Sequence, residues 1–130
     1  MSIEDKLARA RAGLDRVDPE RAAALQREGA LVVDIRPHAN RLAEGEIPDA
    51  VVVERIVLEW RLDPHGDHRL PDLTAETPVV IVCNEGYASS LAAADAQELG
   101  LHRATDLVGG FRAWKSSGLP VVAGGSPAVP

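Results

Sequence analysis

The chain has 130 residues, 45% of them hydrophobic, and this length suits one compact domain. Its formal net charge of -6 argues against nucleic acids and anionic membrane surfaces as partners, because like charges repel. No apolar run reaches the ~20 residues that cross a bilayer, and the charged N-terminus lacks a signal peptide's apolar stretch, so we expect a cytoplasmic protein.

The first two predicted elements are helices. Residues 2–16 form an amphipathic pattern with apolar side chains at helical spacing: Ile3, Leu7, Ala10 and Leu14. We therefore expect residues 1–17 to be an N-terminal helix that packs on the domain. Asp18 is placed to cap a second helix over 19–28, which has Pro19 in its first turn and ends at Gly29.

Short apolar runs rich in β-branched residues predict four strands, at 30–35, 50–53, 79–82 and 104–108. A helical pattern covers 89–99 between the last two strands. Strands that alternate with helices indicate a parallel sheet covered on both sides, which is the α/β class. The stretch 63–78 predicts an irregular connection, and 123–130 has the composition of a flexible tail.

Cys83, the only cysteine, follows the strand 79–82 directly and precedes a helix. Sites are built at the carboxyl ends of parallel strands, and the following helix directs free N–H groups and its positive dipole end at that place. Gly86 allows the loop amides to form a concave nest for an anion. A lone cysteine is commonly a buried small hydrophobe, but this context predicts an exposed thiolate in a cradle of main-chain amides.

Four segments carry a resemblance to a known family: LVVDIRP at 31–37, GEIPDA at 45–50, VVIVCNEGYASSLAAADAQELG at 79–100 and DLVGGFRAWKSSGLPV at 106–121. Over 18–122 the chain resembles a rhodanese-like domain. The resemblance implies a three-layer sandwich, in which a central parallel sheet is flanked by helices on both faces. It also implies that Cys83 opens an active loop, that Ser89 caps the next helix, and that the loop is completed by Asn84, Glu85, Gly86, Tyr87 and Ala88.

The family moves a sulfane sulfur from a donor such as thiosulfate or a persulfide to a thiol acceptor, which implies a persulfide on Cys83. The resemblance implies no cofactor, and the histidines lack ligand spacing, so no metal is expected. We expect a monomer or homodimer that meets a small-molecule or protein donor and a thiol acceptor. One alternative is a non-catalytic regulatory or sulfur-relay module with a redox-sensing Cys83. A phosphatase would need Arg, not Ser89, six residues after the cysteine.

Departures from the family pattern bear on the substrate. The family often has Arg where this chain has Ala88, and Glu85 adds a negative charge to the loop. Positive charge is therefore missing where the sulfonate of thiosulfate would bind, which favours a neutral or thiol-bound persulfide as the donor. The family's common His and Gly in the second segment are replaced by Glu46 and Asp49, and neither change touches the nucleophile.

Five further residues are candidates for supporting roles. Asp34 and Arg36 match the family's Asp-x-Arg at the end of a central strand, and we expect them to pair and brace the loop. Arg55 and Arg61 flank a helical stretch after the second strand, where either could supply the missing positive charge or lie solvated on the surface. Trp60 could form a wall of the pocket or pack in the core.

The glycine pair Gly109-Gly110 predicts a tight turn into a short helix. Phe111 and Trp114 follow at helical spacing, so they share one face of that helix. We expect this face to pack on the sheet as part of the core rather than to bind a cofactor.

Overall fold

The computed structural model describes all 130 residues. The elements in chain order are α1 (Ile3–Ala12), α2 (Pro19–Arg27), β1 (Leu31–Asp34), α3 (His38–Glu44), β2 (Val51–Val52), a 3₁₀-helix (Arg55–Val57), α4 (Leu58–Leu62), β3 (Val79–Val82), α5 (Ala88–Glu98), β4 (Ala104–Asp106) and α6 (Gly110–Ser116). None of these helices combines the length and the apolar character that a bilayer crossing requires.

The four strands form one parallel sheet in the order β2-β1-β3-β4. The central strands β1 and β3 are apolar apart from Asp34, because both faces of the sheet are covered. The register sets Asp34 of β1 beside Val82 of β3, so the chain leaves both central strands at the same edge of the sheet. Cys83, the residue after β3, therefore lies at this edge next to the residues that follow β1.

Successive residues of β3 point to opposite faces, and each face has its own core. On one face Val79, Ile81 and Cys83 pack with side chains of α4 and α5. On the other face Val80 and Val82 pack with side chains of α2 and α6. The sheet thus lies between two helical layers, and the predicted α/β sandwich with a central parallel sheet is confirmed.

The predicted elements differ from the observed ones mainly at their ends. Strand 79–82 has the predicted bounds, whereas β4 ends at Asp106, because Val108 donates to Val17 outside the sheet instead of continuing the ladder. The first helix ends at Ala12 rather than at residue 16. Helix α3 was not predicted, since it lacks a side-chain cap and buries a single residue, Arg41.

Both ends of the chain contact the domain. Helix α1 lies against α5, although none of its residues is fully buried. The segment 123–130 also lies against the domain, in contrast to the flexible tail expected from its composition. Ser126 donates to Glu46 through its N–H at 3.1 Å, and Val129 donates to the Val52 carbonyl at 2.8 Å. Composition does not reveal these contacts, because their partners lie far away in the sequence.

Candidate active site

The loop that carries Cys83 is short and is packed against a second turn. From Cys83 the chain passes through Gly86 before α5 begins at Ala88. Gly86 has a φ of +87°, and a side chain there would come within 2.7 Å of the Gly109 nitrogen. The loop therefore requires glycine at this position for its conformation and for this close approach.

The Cys83 sulfur is held by main-chain and hydroxyl groups. The N–H groups of Gly86 and Ser89 donate to Sγ at 3.2 and 3.3 Å. In the thiol form Sγ–H donates to the Ser89 hydroxyl, whose oxygen lies 3.2 Å away. The prediction that Ser89 caps α5 is wrong, because the helix begins one residue earlier and no side chain caps it. The amides and the helix dipole stabilise a negative charge on the sulfur.

Cys83 is only 8% exposed, which differs from the exposed thiol expected from the sequence. Its side chain nevertheless lines an open cavity of about 500 Å³. The other walls come from the loop, from three arginines and from residues at and after the end of β1: Asn84, Glu85, Tyr87, Ala88, Arg36, Arg55, Arg112, Ile35, Pro37 and Asn40. A reactant can therefore reach the sulfur from one side, while the apolar core surrounds the rest of the residue.

A buried carboxylate, Asp106 of β4, lies behind the loop. It accepts hydrogen bonds from the hydroxyls of Ser89 at 2.7 Å and Ser90 at 2.8 Å. Arg16 neutralises its charge through an Nε–Oδ1 contact of 2.8 Å. Asp106 keeps its hydrogen bonds from Ser90 and Arg16 when Ser89 turns away. The Ser89 hydroxyl can therefore turn from the carboxylate to the sulfur when the thiol ionises.

Two arginines that precede α2 also reach the active loop. The Nη2 atoms of Arg11 and Arg16 donate to the Gly86 carbonyl at 2.7 and 2.9 Å. Arg11 Nε donates to the Ser90 hydroxyl at 3.0 Å as well. The sequence analysis missed both residues, because nothing in a helical charge pattern indicates a contact with a loop 70 or more positions away.

Asp34 and Arg36 form a buried ion pair with a shortest contact of 2.7 Å. Arg36 Nη2 also donates to the Gly45 carbonyl at 2.7 Å, and its guanidinium lies 3.8 Å from the centre of the Phe111 ring. Its Nη1 is 3.5 Å from Asn84 Oδ1, a long contact with the active loop. The ion pair therefore lies beside the active loop.

Helix α6 braces the loop through its main chain. The N–H of Phe111 donates to the Cys83 carbonyl at 2.9 Å, and the N–H of Arg112 donates to the Asn84 carbonyl at 3.2 Å. These two bonds hold the two successive peptide groups that follow Cys83 and Asn84. Phe111 is fully buried on the sheet, as expected for a core residue.

The side chain of Arg112, which the sequence analysis missed, lines the cavity. It contacts Glu44 at 3.1 Å and Glu85 at 3.4 Å. The hydrogen bond from Arg112, joined by one from Asn84, holds the pKa of Glu44 below its ordinary value. The place of Arg112 two residues after the glycine pair, in a segment that carries the family resemblance, was the signal that could have indicated it.

The three residues proposed for substrate binding have different locations. Arg55 lines the cavity, but its guanidinium is paired with Glu59 at 2.9 Å and with Asp95 at 3.0 Å. Arg61 does not line the cavity and instead donates to main-chain carbonyls, including that of His68 at 2.9 Å. Trp60 is 59% exposed and forms neither a wall of the cavity nor part of the core.

Comparison with known proteins gives a consistent result. The family model of the rhodanese-like domain matches residues 18–117. A thiosulfate sulfurtransferase (GlpE) of Pseudomonas fluorescens is 36% identical over 115 residues, which are 86% of this chain and 94% of that protein. A sulfurtransferase of Allochromatium vinosum is 38% identical over 96 residues, which are 74% of this chain and 81% of that protein.

One solved structure is similar over almost the whole chain. It is a protein of unknown function from Rhodopseudomonas palustris, described as a possible tyrosine phosphatase. The two chains are 31% identical, the TM-score is 0.83, and the match covers 93% of this chain and 94% of the other. The structural match extends beyond residues 18–117, because this range is shorter than the 93% of the chain that the match covers.

Proposed function

The chain belongs to the rhodanese-like domain family, and on this basis we propose that it is a sulfurtransferase whose Cys83 carries a sulfane sulfur as a persulfide. The observation that carries the proposal is the position of the sulfur. Cys83 lines an open cavity, and its Sγ accepts hydrogen bonds from the N–H groups of Gly86 and Ser89. These N–H groups stabilise the Cys83 thiolate, which must attack the sulfur-donating substrate.

The proposed reaction has two half-reactions that balance in atoms and charge. The Cys83 thiolate attacks the outer sulfur of thiosulfate, the S–S bond of the donor breaks with its electron pair, and sulfite leaves. A persulfide anion then remains on Cys83. In the second half-reaction an acceptor thiolate attacks the outer sulfur of this persulfide, which transfers the sulfur and restores the Cys83 thiolate.

A thiol-bound persulfide is the second proposed donor. In that case the Cys83 thiolate takes the outer sulfur and a thiolate leaves. The two arginines whose side chains line the open part of the cavity, Arg55 and Arg112, are each paired with two carboxylates, so little positive charge is left to attract the thiosulfate dianion. This pairing supports the persulfide donor, whereas the name of the Pseudomonas relative supports thiosulfate.

The residues of the loop do not favour a phosphatase, the activity suggested for the Rhodopseudomonas protein. Phosphoryl transfer on a cysteine requires a cation that clamps the phosphoryl oxygens, or a metal. The position six residues after Cys83 is Ser89, whose hydroxyl donates to Asp106. We therefore place sulfur transfer ahead of phosphate hydrolysis for this chain.

We further propose that the reaction takes place in the cytoplasm, where reducing conditions keep the single thiol free. The partners are then a small-molecule or protein sulfur donor and a thiol acceptor. The alternative role of a regulatory or relay module shares the same loop, but it predicts that a persulfide forms without repeated turnover.

Intact-mass measurement tests the proposal. The purified protein is incubated with thiosulfate or with glutathione persulfide, and a gain of the mass of one sulfur atom is expected in the wild type and not in Cys83→Ser. Addition of an acceptor thiol should then remove the extra mass and allow repeated turnover. A mass gain without turnover would favour the relay module, and no mass gain with either donor would contradict the proposal.

A further inference from the structure

We propose that Arg11, in the N-terminal helix α1, is a positioning residue that raises the reactivity of Cys83 from behind the active loop. The inference rests on the sulfur chemistry proposed above, although its main readout, the reactivity of the thiol, does not require sulfur transfer. Arg11 lies outside the region 18–117 that the family model matches, so the family pattern does not assign it a role.

Arg11 holds the loop at one peptide group. Its Nη2 donates to the Gly86 carbonyl at 2.7 Å, and its Nε donates to the Ser90 hydroxyl at 3.0 Å. The guanidinium also lies 5.6 Å from the centre of the Tyr87 ring, within range of a cation–π contact. Arg11 therefore contacts both residues that share the peptide between Gly86 and Tyr87, together with the first turn of α5.

The contact of Arg11 with the Gly86 carbonyl affects a hydrogen-bond donor, the Tyr87 N–H, that is free to bind the reacting sulfur. The Gly86 carbonyl and the Tyr87 N–H belong to one trans peptide, so they point in opposite directions. A cation on the carbonyl polarises the peptide and makes its N–H a stronger donor. The Tyr87 N–H has no acceptor within the protein, and Tyr87 lines the cavity. This N–H is therefore available to a negative charge on the thiolate or on the outer sulfur of the persulfide.

Arg11 is also the cation near the loop that has no carboxylate partner. The other guanidinium groups around the loop and the cavity are neutralised: Arg16 by Asp106, Arg36 by Asp34, Arg55 by Glu59 and Asp95, and Arg112 by Glu44 and Glu85. The side chain of the loop that faces Arg11 is the ring of Tyr87, and no carboxylate pairs with the guanidinium. The charge of Arg11 thus favours the thiolate in a loop that has Ala88 where the family often has Arg.

The test compares the rate at which iodoacetamide alkylates Cys83 in the wild type and in Arg11→Met. At about pH 7 we expect the variant to react about threefold more slowly, because less of its thiol is ionised. The difference should shrink as the pH rises to about 9, since the thiol then ionises in both proteins. Arg11→Lys, which keeps the charge, should react like the wild type. In turnover with thiosulfate, kcat should fall in Arg11→Met while KM stays unchanged, because Arg11 does not line the cavity.

Arg9→Met is the matched control. Arg9 lies on the same helix and is exposed, so the substitution removes the same charge without a loop contact, and wild-type alkylation is expected. Equal rates for Arg11→Met and Arg9→Met would overturn the inference, as would a slower reaction of Arg11→Met that is the same at every pH. If the wild type gains no sulfur from any donor, the proposed function fails while the alkylation rates still decide the role of Arg11.

Discussion

At the scale of single residues, the Cys83 sulfur is surrounded by neutral donors rather than by a cation in direct contact. Two amides and one hydroxyl lie within 3.3 Å of Sγ. The amides are fixed by the loop, whereas the Ser89 hydroxyl can turn between the sulfur and Asp106. Ser89 is therefore the neighbour that can follow the change in charge as the thiol ionises and the persulfide forms.

We predict that Ser89→Ala slows persulfide formation about tenfold, because the sulfur loses a hydrogen bond to its charged form worth about 1.5 kcal/mol. Single-turnover kinetics with a persulfide donor measure this rate. Ser90→Ala is the control, since it also removes a donor from Asp106 but does not contact Sγ, and Arg11 keeps its hydrogen bond to the Gly86 carbonyl. Both variants should lose about 1 kcal/mol of unfolding free energy, but Ser90→Ala should react within about twofold of the wild type. Equal slowing of the two would show that the effect does not come from the hydrogen bond between Ser89 and the sulfur.

The second residue-scale prediction concerns the position where the family often has Arg. Ala88 is exposed and lines the cavity, so Ala88→Arg can place a guanidinium beside the sulfur without repacking the core. We expect KM for thiosulfate to fall about tenfold, because an added opposite charge attracts the dianion. Ala94→Arg adds the same charge further along α5 and should leave KM unchanged. A similar fall in both variants would indicate a general charge effect rather than binding in the cavity.

At the scale of elements, α6 and the active loop meet at a glycine. Gly110 has a φ of +64°, and a side chain there would come within 2.6 Å of the Cys83 carbonyl oxygen. The close approach allows the first N–H groups of α6 to donate to the carbonyls of Cys83 and Asn84. The turn before α6 is therefore part of the support of the active loop, in addition to its role in the core.

We predict that Gly110→Ala lowers the unfolding free energy by about 3 kcal/mol, of which about 1 kcal/mol is the cost of a left-handed backbone and the rest comes from overpacking. The substitution should also displace the loop and reduce sulfur transfer. Gly118→Ala is a matched control, since Gly118 has a φ of +79° but no atom near the added carbon. Urea unfolding compares the two, and equal losses would show that the contact with the loop costs nothing.

The elements also explain which features the sequence could predict. Strand 79–82 was predicted to the residue because a strand buried on both faces must be apolar throughout, and the cysteine after it follows from that assignment. Helix α3 was missed because it is only seven residues long, has no side-chain cap and buries only Arg41, so no capping residue or buried apolar face marks it in the sequence. Arg11, Arg16 and Arg112 were missed because their role at the site depends on which elements become neighbours, and a local pattern of residues does not contain that information.

At the scale of the whole molecule, the last residues of the chain close over a buried ion pair. Arg41 and Glu46 are paired at 2.7 Å, and the N–H groups of Gly125 and Ser126 donate to the same carboxylate. Burial raises the pKa of Glu46, but hydrogen bonds from Ser126 and Arg41 outweigh burial and hold the pKa below its ordinary value. This carboxylate therefore links α3 to the C-terminal segment in its ionised form.

Because the pKa of Glu46 is depressed in the folded state, its contribution to stability is present above the ordinary value of 4.5 and is lost as the pH falls through the folded-state value. We predict that Glu46→Gln costs about 3 kcal/mol at neutral pH, since Arg41 stays buried without its partner. The difference from the wild type should narrow toward about pH 3. Urea unfolding at several pH values measures it, with the exposed Glu76→Gln as a control. A difference that does not change with pH would contradict the ionised pair.

The ion pair between Arg16 and Asp106 has a consequence for the boundaries of the folding unit. Asp106 lies inside the region 18–117, but Arg16 lies just before it. A shortened chain that starts at residue 18 would bury an anion with no counter-ion, at a cost of about 3 kcal/mol, directly beneath the nucleophile. The smallest unit able to hold the sulfur in place thus begins upstream of the region that the family pattern outlines.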